Sequence, residues 1–178
     1  AASVTRVLNL ELATAPDIIA LAAELKPHQA TFVPERREEI TTEGGLDIIS
    51  DPARIRRAIE SLTTAGIRVS LFIDPTRESV EQSKKLGVPA IELHTGTYSH
   101  DTGSRKAIEA LRSSARLGAE LGIAVHAGHG LTVQNVALVA AIPEIEELNI
   151  GHSIVSRSVF IGLEKAVKEM REAMRTAR

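Results

Sequence analysis

One strand pattern, repeated from end to end of this chain, limits what it can fold into. In Leu8-Asn9-Leu10-Glu11-Leu12 the leucines share one face and Asn9 and Glu11 share the other, because successive strand side chains point to opposite sides. Ile91-Glu92-Leu93-His94 and Leu148-Asn149-Ile150-Gly151 repeat the division, as does Val69-Ser70-Leu71-Phe72-Ile73-Asp74 with Ser70 and Asp74 on its polar face. Apolar, β-rich runs fall at residues 7–12, 30–33, 69–73, 90–93, 123–127 and 148–150. Between them lie segments of helical period, with stripes such as Ile18, Ile19, Ala22, Leu25 and Ile55, Ala58, Ile59, Leu62. Asp51-Pro52 and Asp74-Pro75 each read as a cap followed by proline at the first helical position. Gly66, Gly87 and Gly122 stand where a helix ends before the next strand. The spacing predicts one last helix over 155–174, with Val159, Leu163, Val167, Met170 and Met174 on a single face.

Strands alternating with helices imply βαβ units and a parallel sheet. An open doubly wound sheet carries helices on both faces and is apolar on both. Here one face is apolar and the other polar or small, which favours a TIM-type (β/α)₈ barrel with functional groups facing its lumen. A complete barrel needs about 250 residues, whereas six units are visible in 178. The expectation is a single α/β barrel domain over residues 1–178 that holds about six C-terminal βα units and lacks the first two.

Composition narrows the function. The absence of cysteine excludes thiol nucleophiles, disulfides and zinc–thiolate sites and fits a reducing cytoplasm. A net charge of −2 and 2% aromatic residues point away from nucleic-acid and membrane partners. No apolar run approaches the eighteen or so residues of a membrane span, and the opening Ala-Ala-Ser-Val-Thr-Arg has no signal-peptide core.

Barrel enzymes assemble their sites at the C-terminal ends of the strands. Glu11, Glu35, Asp74, Glu92, His94, His129 and His152 all stand at or near such ends. Wet loops explain Glu35 and Asp74 well. They explain Glu11 and Glu92 poorly, since each is flanked by leucine or isoleucine within an apolar run, and a carboxylate drawn into a lumen is costly unless paired or used. His28 and His100 read as structural or solvated. His94 shares the inward face with Glu92 and is a candidate hydrogen-bond partner for it. His126 and His129, three apart around a strand end, are expected on opposite sides, which argues against a paired metal site. His129 sits between Gly128 and Gly130, where the backbone can approach a ligand closely. The last two strand–helix junctions, 127–132 and 149–153, contain glycine and open into helices, as phosphate-binding loops of barrels do. The long segment 34–50 reads PERREEITTEGGLDIIS, in which Thr41, Thr42 and Gly44-Gly45 fit a loop that contacts substrate.

Taken together, NLELA, VPERREEITTEGGLD, VSLFID, IELHTGTY, AGHGLT and IPEIEELNIGHSI resemble the pyridoxine 5′-phosphate synthase family, in family order over essentially the whole chain. The resemblance implies a (β/α)₈ barrel assembled as a homo-octamer in the cytoplasm, with no metal or other cofactor and small phosphorylated substrates as partners. It implies a transferase-type ring closure in vitamin B6 biosynthesis, joining 1-deoxy-D-xylulose 5-phosphate to 3-amino-2-oxopropyl phosphate. By that resemblance Glu11 and His129 are catalytic, and Glu92 stabilises transition states. Thr41 contacts the deoxyxylulose phosphate, and Gly130, Gly151 and His152 hold the other phosphate. The family's first two strands carry Asn-x-Asp-His and His-x-Arg segments that this sequence does not contain. Three other readings remain open on the residues alone. One is a different barrel enzyme acting on phosphosugars, though a Schiff-base aldolase would need a strand-end lysine. Another is a metal-dependent hydrolase using Glu92, His94, His129 and His152. The third is a catalytically incomplete barrel fragment that associates with itself.

Overall fold

The computed structural model describes residues 6–34 and 44–177. Among them, six strands form one parallel sheet: β1 (Asn9–Leu12), β2 (Gln29–Phe32), β3 (Arg68–Ile73), β4 (Ala90–His94), β5 (Ala124–Gly128) and β6 (Ile145–Asn149). Each strand pairs with its neighbours in sequence, in the order β1 to β6 without reversal. A doubly wound sheet changes direction at a switch point. This one does not, so the chain is a curled, partial barrel. β1 and β6 are its two edges among the described residues, and the sheet does not close there.

The helices form for legible reasons. Helix α1 (Pro16–Leu25) and α2 (Pro52–Thr64) both start on proline, and the Asp51 carboxylate accepts the Arg54 N–H at 3.0 Å to cap α2. Thr76 caps α3 (Arg77–Leu86) through Ser79 N–H at 3.1 Å, and Ser104 caps α5 (Arg105–Glu120) through Ala107 N–H at 3.3 Å. The cap expected at Asp74 is therefore Thr76 instead, and Asp74 is left for other partners. Gly66, Gly87 and Gly122 follow α2, α3 and α5 with φ of 79°, 79° and 72°, as the sequence reading had them.

One apolar face of the sheet packs under these helices. Phe32, Leu71, Ile73, Ile91, Leu93 and Val125 are fully buried there against Ile55, Leu62 and Leu111. Truncating any one of them to alanine costs roughly 2–5 kcal/mol. The register places Glu11, Thr31 and Ser70 side by side on the other face, followed by Phe72, Glu92 and His126. That face is the lumen side. Phe72 lies on it between Ser70 and Asp74, so the polar face also carries a phenyl ring.

Three expectations shift. The strand placed at 148–150 starts at Ile145, because the adjacent Glu146 and Glu147 hid its pattern while a register shift next to His126 accommodates them. Two short helices, α4 (Gly96–His100) and α6 (Val136–Ala140), occupy loops. The single last helix is two, α7 (His152–Ile161) and α8 (Leu163–Arg175), separated by Gly162 at φ 84°. The break splits the expected stripe: Met170 is buried, whereas Val159 and Leu163 are exposed. Among the described residues no helix is long and apolar enough to cross a membrane.

Candidate active site

Glu92 lies in the middle of β4, pointing to the lumen, and only 3% of it is exposed. Its Oε2 accepts a hydrogen bond from Asn149 Nδ2 at 2.7 Å, across from the end of β6. Burial pushes its carboxyl from the ordinary 4.5 up to about 7; the Asn149 bond pulls the other way, and the charges of Glu11 and Glu147 add to the rise. A carboxyl in that state exchanges a proton near neutral pH, which is what a general acid–base group needs. The partner expected for it, His94, is bound elsewhere.

His94 is also buried, and its Nδ1 meets Asp74 Oδ1 at 3.4 Å. The same carboxylate oxygen accepts the Gly45 N–H at 2.8 Å, and the His94 bond together with that amide holds the Asp74 carboxyl below the usual range. Asp74 thus ties the end of the long segment after β2 to the ring of His94. It is a structural clamp rather than a helix cap.

His129 follows β5 with a left-handed φ of 86°. Its ring centroid lies 5.0 Å from that of His94 and 6.4 Å from that of Phe72. Simple alternation put His126 and His129 on opposite sides. The positive φ swings His129 back, so its ring joins residues of the lumen face. Gly128 lets this happen at close quarters, since a Cβ there would stand 2.4 Å from Glu92 Oε1 and 2.8 Å from the Asn149 carbonyl. His126 remains in the strand, buried beside Glu92 in register, and its own pKa is lowered, chiefly by burial.

The loop after His129 is fixed by its carbonyls. Gly128 O accepts from Thr95 N–H at 2.9 Å and from Thr95 Oγ1 at 2.7 Å. His129 O accepts from Thr95 Oγ1 and from Ser99 Oγ, the latter at 3.2 Å. Gly130 O accepts from Asn135 Nδ2 at 3.1 Å, and Leu131 O from Ser153 Oγ at 2.6 Å. Asn135 Oδ1 in turn accepts the Thr132 N–H at 2.7 Å. Four successive carbonyls are held by neighbouring elements, which leaves little freedom in the loop's shape.

Of the residues singled out from sequence, Glu11 and Glu92 share the lumen face three strands apart, and His129 and Gly130 follow the end of β5 beside β4. Glu11 faces Thr31 across the register but is exposed, so the burial argument made for it holds for Glu92 alone. Gly151 and His152, the cap and first residue of α7, stand two and three residues beyond Asn149, whose side chain holds Glu92, and both are exposed. Thr41 and Glu35 lie outside the described residues. His28 and His100 are structural: His28 Nδ1 accepts the Leu8 N–H at 3.0 Å, and His100 Nδ1 bonds the Gly96 carbonyl at 2.9 Å. Sequence reasoning missed Asn149, Thr95 and Phe72. Asn149 had a signal, a polar residue on the same face as Glu92 at a neighbouring strand end. Among the described residues no three His, Asp or Glu side chains converge in a way that could hold a metal ion.

The family model described as pyridoxal phosphate biosynthesis protein PdxJ matches residues 1–176. The chain belongs to that family. Its relatives include the pyridoxine 5′-phosphate synthase of a Cyanothece species, 52% identical over 171 residues that make up 94% of this chain and 71% of that protein. Those of Trichlorobacter lovleyi and Coxiella burnetii are each 49% identical over 92% of this chain and 70% of theirs. PdxJ membership agrees with the fold seen in more distant solved structures. An HpcH/HpaI aldolase from Desulfitobacterium hafniense superposes with a TM-score of 0.59 at 15% identity, over 95% of this chain and 73% of that one. The Amycolatopsis orientalis BexX/CysO complex gives 0.60 at 15% identity, over 89% of this chain and 58% of its counterpart. At such identities the likeness concerns the fold alone.

Proposed function

We propose that the protein is a pyridoxine 5′-phosphate synthase, joining 1-deoxy-D-xylulose 5-phosphate to 3-amino-2-oxopropyl phosphate to give pyridoxine 5′-phosphate, phosphate and water. The observation that carries this reading is Glu92, a buried carboxyl with a pKa of about 7, set beside a second carboxylate and the His129 loop. Imine formation, dehydration and ring closure each move protons, so several acid–base groups along one face of the sheet suit the task. Glu11, exposed on the lumen face, takes protons from the bound substrates. His129 returns them to departing oxygens, and Glu92 supports the charges that develop between these steps.

Phosphate binding falls to Gly130, Gly151 and His152, at the two junctions that open into α6 and α7. The N-terminus of the ten-residue α7 favours an anion there. Thr41 serves the deoxyxylulose phosphate. The six units belong to a (β/α)₈ barrel whose remaining two strands lie between β6 and β1. The exposed Val159 and Phe160 of α7 support assembly into a homo-oligomer, and the protein works in the cytoplasm without a metal. Incubation with both substrates, followed by chromatography for pyridoxine 5′-phosphate, tests the reading. Product formation supports it; a folded protein that turns over neither substrate overturns it.

A further inference from the structure

We infer that Thr95 is a positioning residue that holds His129 in its working conformation. A φ of 86° is costly for any residue with a Cβ and persists only where the surroundings over-determine it. Here they do. Thr95 is completely buried at the end of β4, and its single hydroxyl serves the carbonyls of both Gly128 and His129. Its amide takes Gly128 O as well, and Ser99, one turn along α4, adds a second hydroxyl to His129 O. These bonds fix the peptide planes on either side of His129, so its φ follows from the hydroxyls of Thr95 and Ser99. Gly130 completes the arrangement, because a Cβ there would lie 2.7 Å from Ser99 Cβ. Thr95 itself is too deeply buried to touch substrate and acts through the histidine.

Relaxation of His129 to a negative φ would turn its ring away from His94 and Phe72. Releasing strain of the order carried by such residues corresponds to roughly a tenfold to hundredfold change in the population of the working conformer. The inference rests on His129 being an acid–base group in the reaction proposed above, yet its first readout needs no substrate. In Thr95→Val, of nearly the same shape but without the hydroxyl, the His129 ring signal in a ¹H–¹³C spectrum is expected to move. The signals of His28 and His100 stay in place. Thr95→Ser, which keeps the hydroxyl, restores the position of His129. In turnover, Thr95→Val lowers kcat about tenfold with little change in KM, and Thr95→Ser recovers it. A folded Thr95→Val protein whose His129 signal stays put overturns the inference, whether or not the protein turns over substrate. Should that variant fail to fold, Ser99→Ala removes the second donor alone; an unmoved His129 signal there overturns it equally.

Discussion

Asn149 Nδ2 donates to Glu92 Oε2 at 2.7 Å, joining the end of β6 to the middle of β4 across the width of β5. Among the described residues that bond gives the buried carboxyl a neutral partner rather than a cation. Ion pairing would have made it a permanent carboxylate; an apolar setting would have made it a permanent acid. With one amide donor and two further carboxylates nearby, Glu92 stays within reach of both forms near pH 7.

Stability carries the signature of this arrangement. The folded pKa of Glu92, about 7, exceeds the ordinary 4.5, so between those values the native state binds the more protons. Stability therefore falls as pH rises through that window and carries the full penalty above it, about 3 kcal/mol at roughly 1.4 kcal/mol per pH unit. Glu92→Gln keeps the shape without the charge. In urea unfolding it is expected to match the parent near pH 5 and to exceed it by up to about 3 kcal/mol near pH 9.

Asp74 behaves in the opposite sense. Its bonds to His94 and to the Gly45 amide hold its folded pKa below the ordinary 3.8. The stability it contributes is present above that value and is lost as pH falls through the depressed one. Because the side chain is half exposed, the effect is modest, on the order of 1 kcal/mol or less. Asp74→Asn should lower stability by that amount at pH 6, with the difference shrinking as pH falls below 3.8, as read by thermal melts at each pH.

Two glycines of the site separate packing from chemistry. A side chain at Gly128 collides with Glu92 and with the Asn149 carbonyl, whereas nothing lies within 4 Å of a Cβ added at Gly151. Gly128→Ala is expected to lose both activity and a few kcal/mol of stability, as overpacked cores do. Gly151→Ala should melt within a degree or two of the parent and raise KM for a phosphorylated substrate, since only the ligand meets the new methyl group. An unchanged KM would remove Gly151 from the phosphate site.

The sheet was largely legible because alternation writes its two faces into the sequence, and the strand order then decided for a curled, partial barrel over a doubly wound sheet. Glu92 was legible for the same reason, a carboxylate locked between Ile91 and Leu93. Partners were not. His94 binds Asp74 rather than Glu92, and Asn149 binds Glu92, because strand stagger decides which side chains meet and no single strand encodes it. His129 was found through its flanking glycines, yet its side of the sheet depends on a backbone angle imposed by Thr95, thirty-four residues away. The break at Gly162 lay inside an unbroken helical stripe, where one glycine is ordinarily tolerated.

The pH dependence of pyridoxine 5′-phosphate formation, compared between the parent and Glu92→Gln, tests the central claim most directly. The parent is predicted to form product with a kcat that breaks near pH 7. The variant is predicted to lose that break and at least about a hundredfold in rate. A folded parent that forms no product, or a variant that keeps the same rate and the same break, would contradict the account.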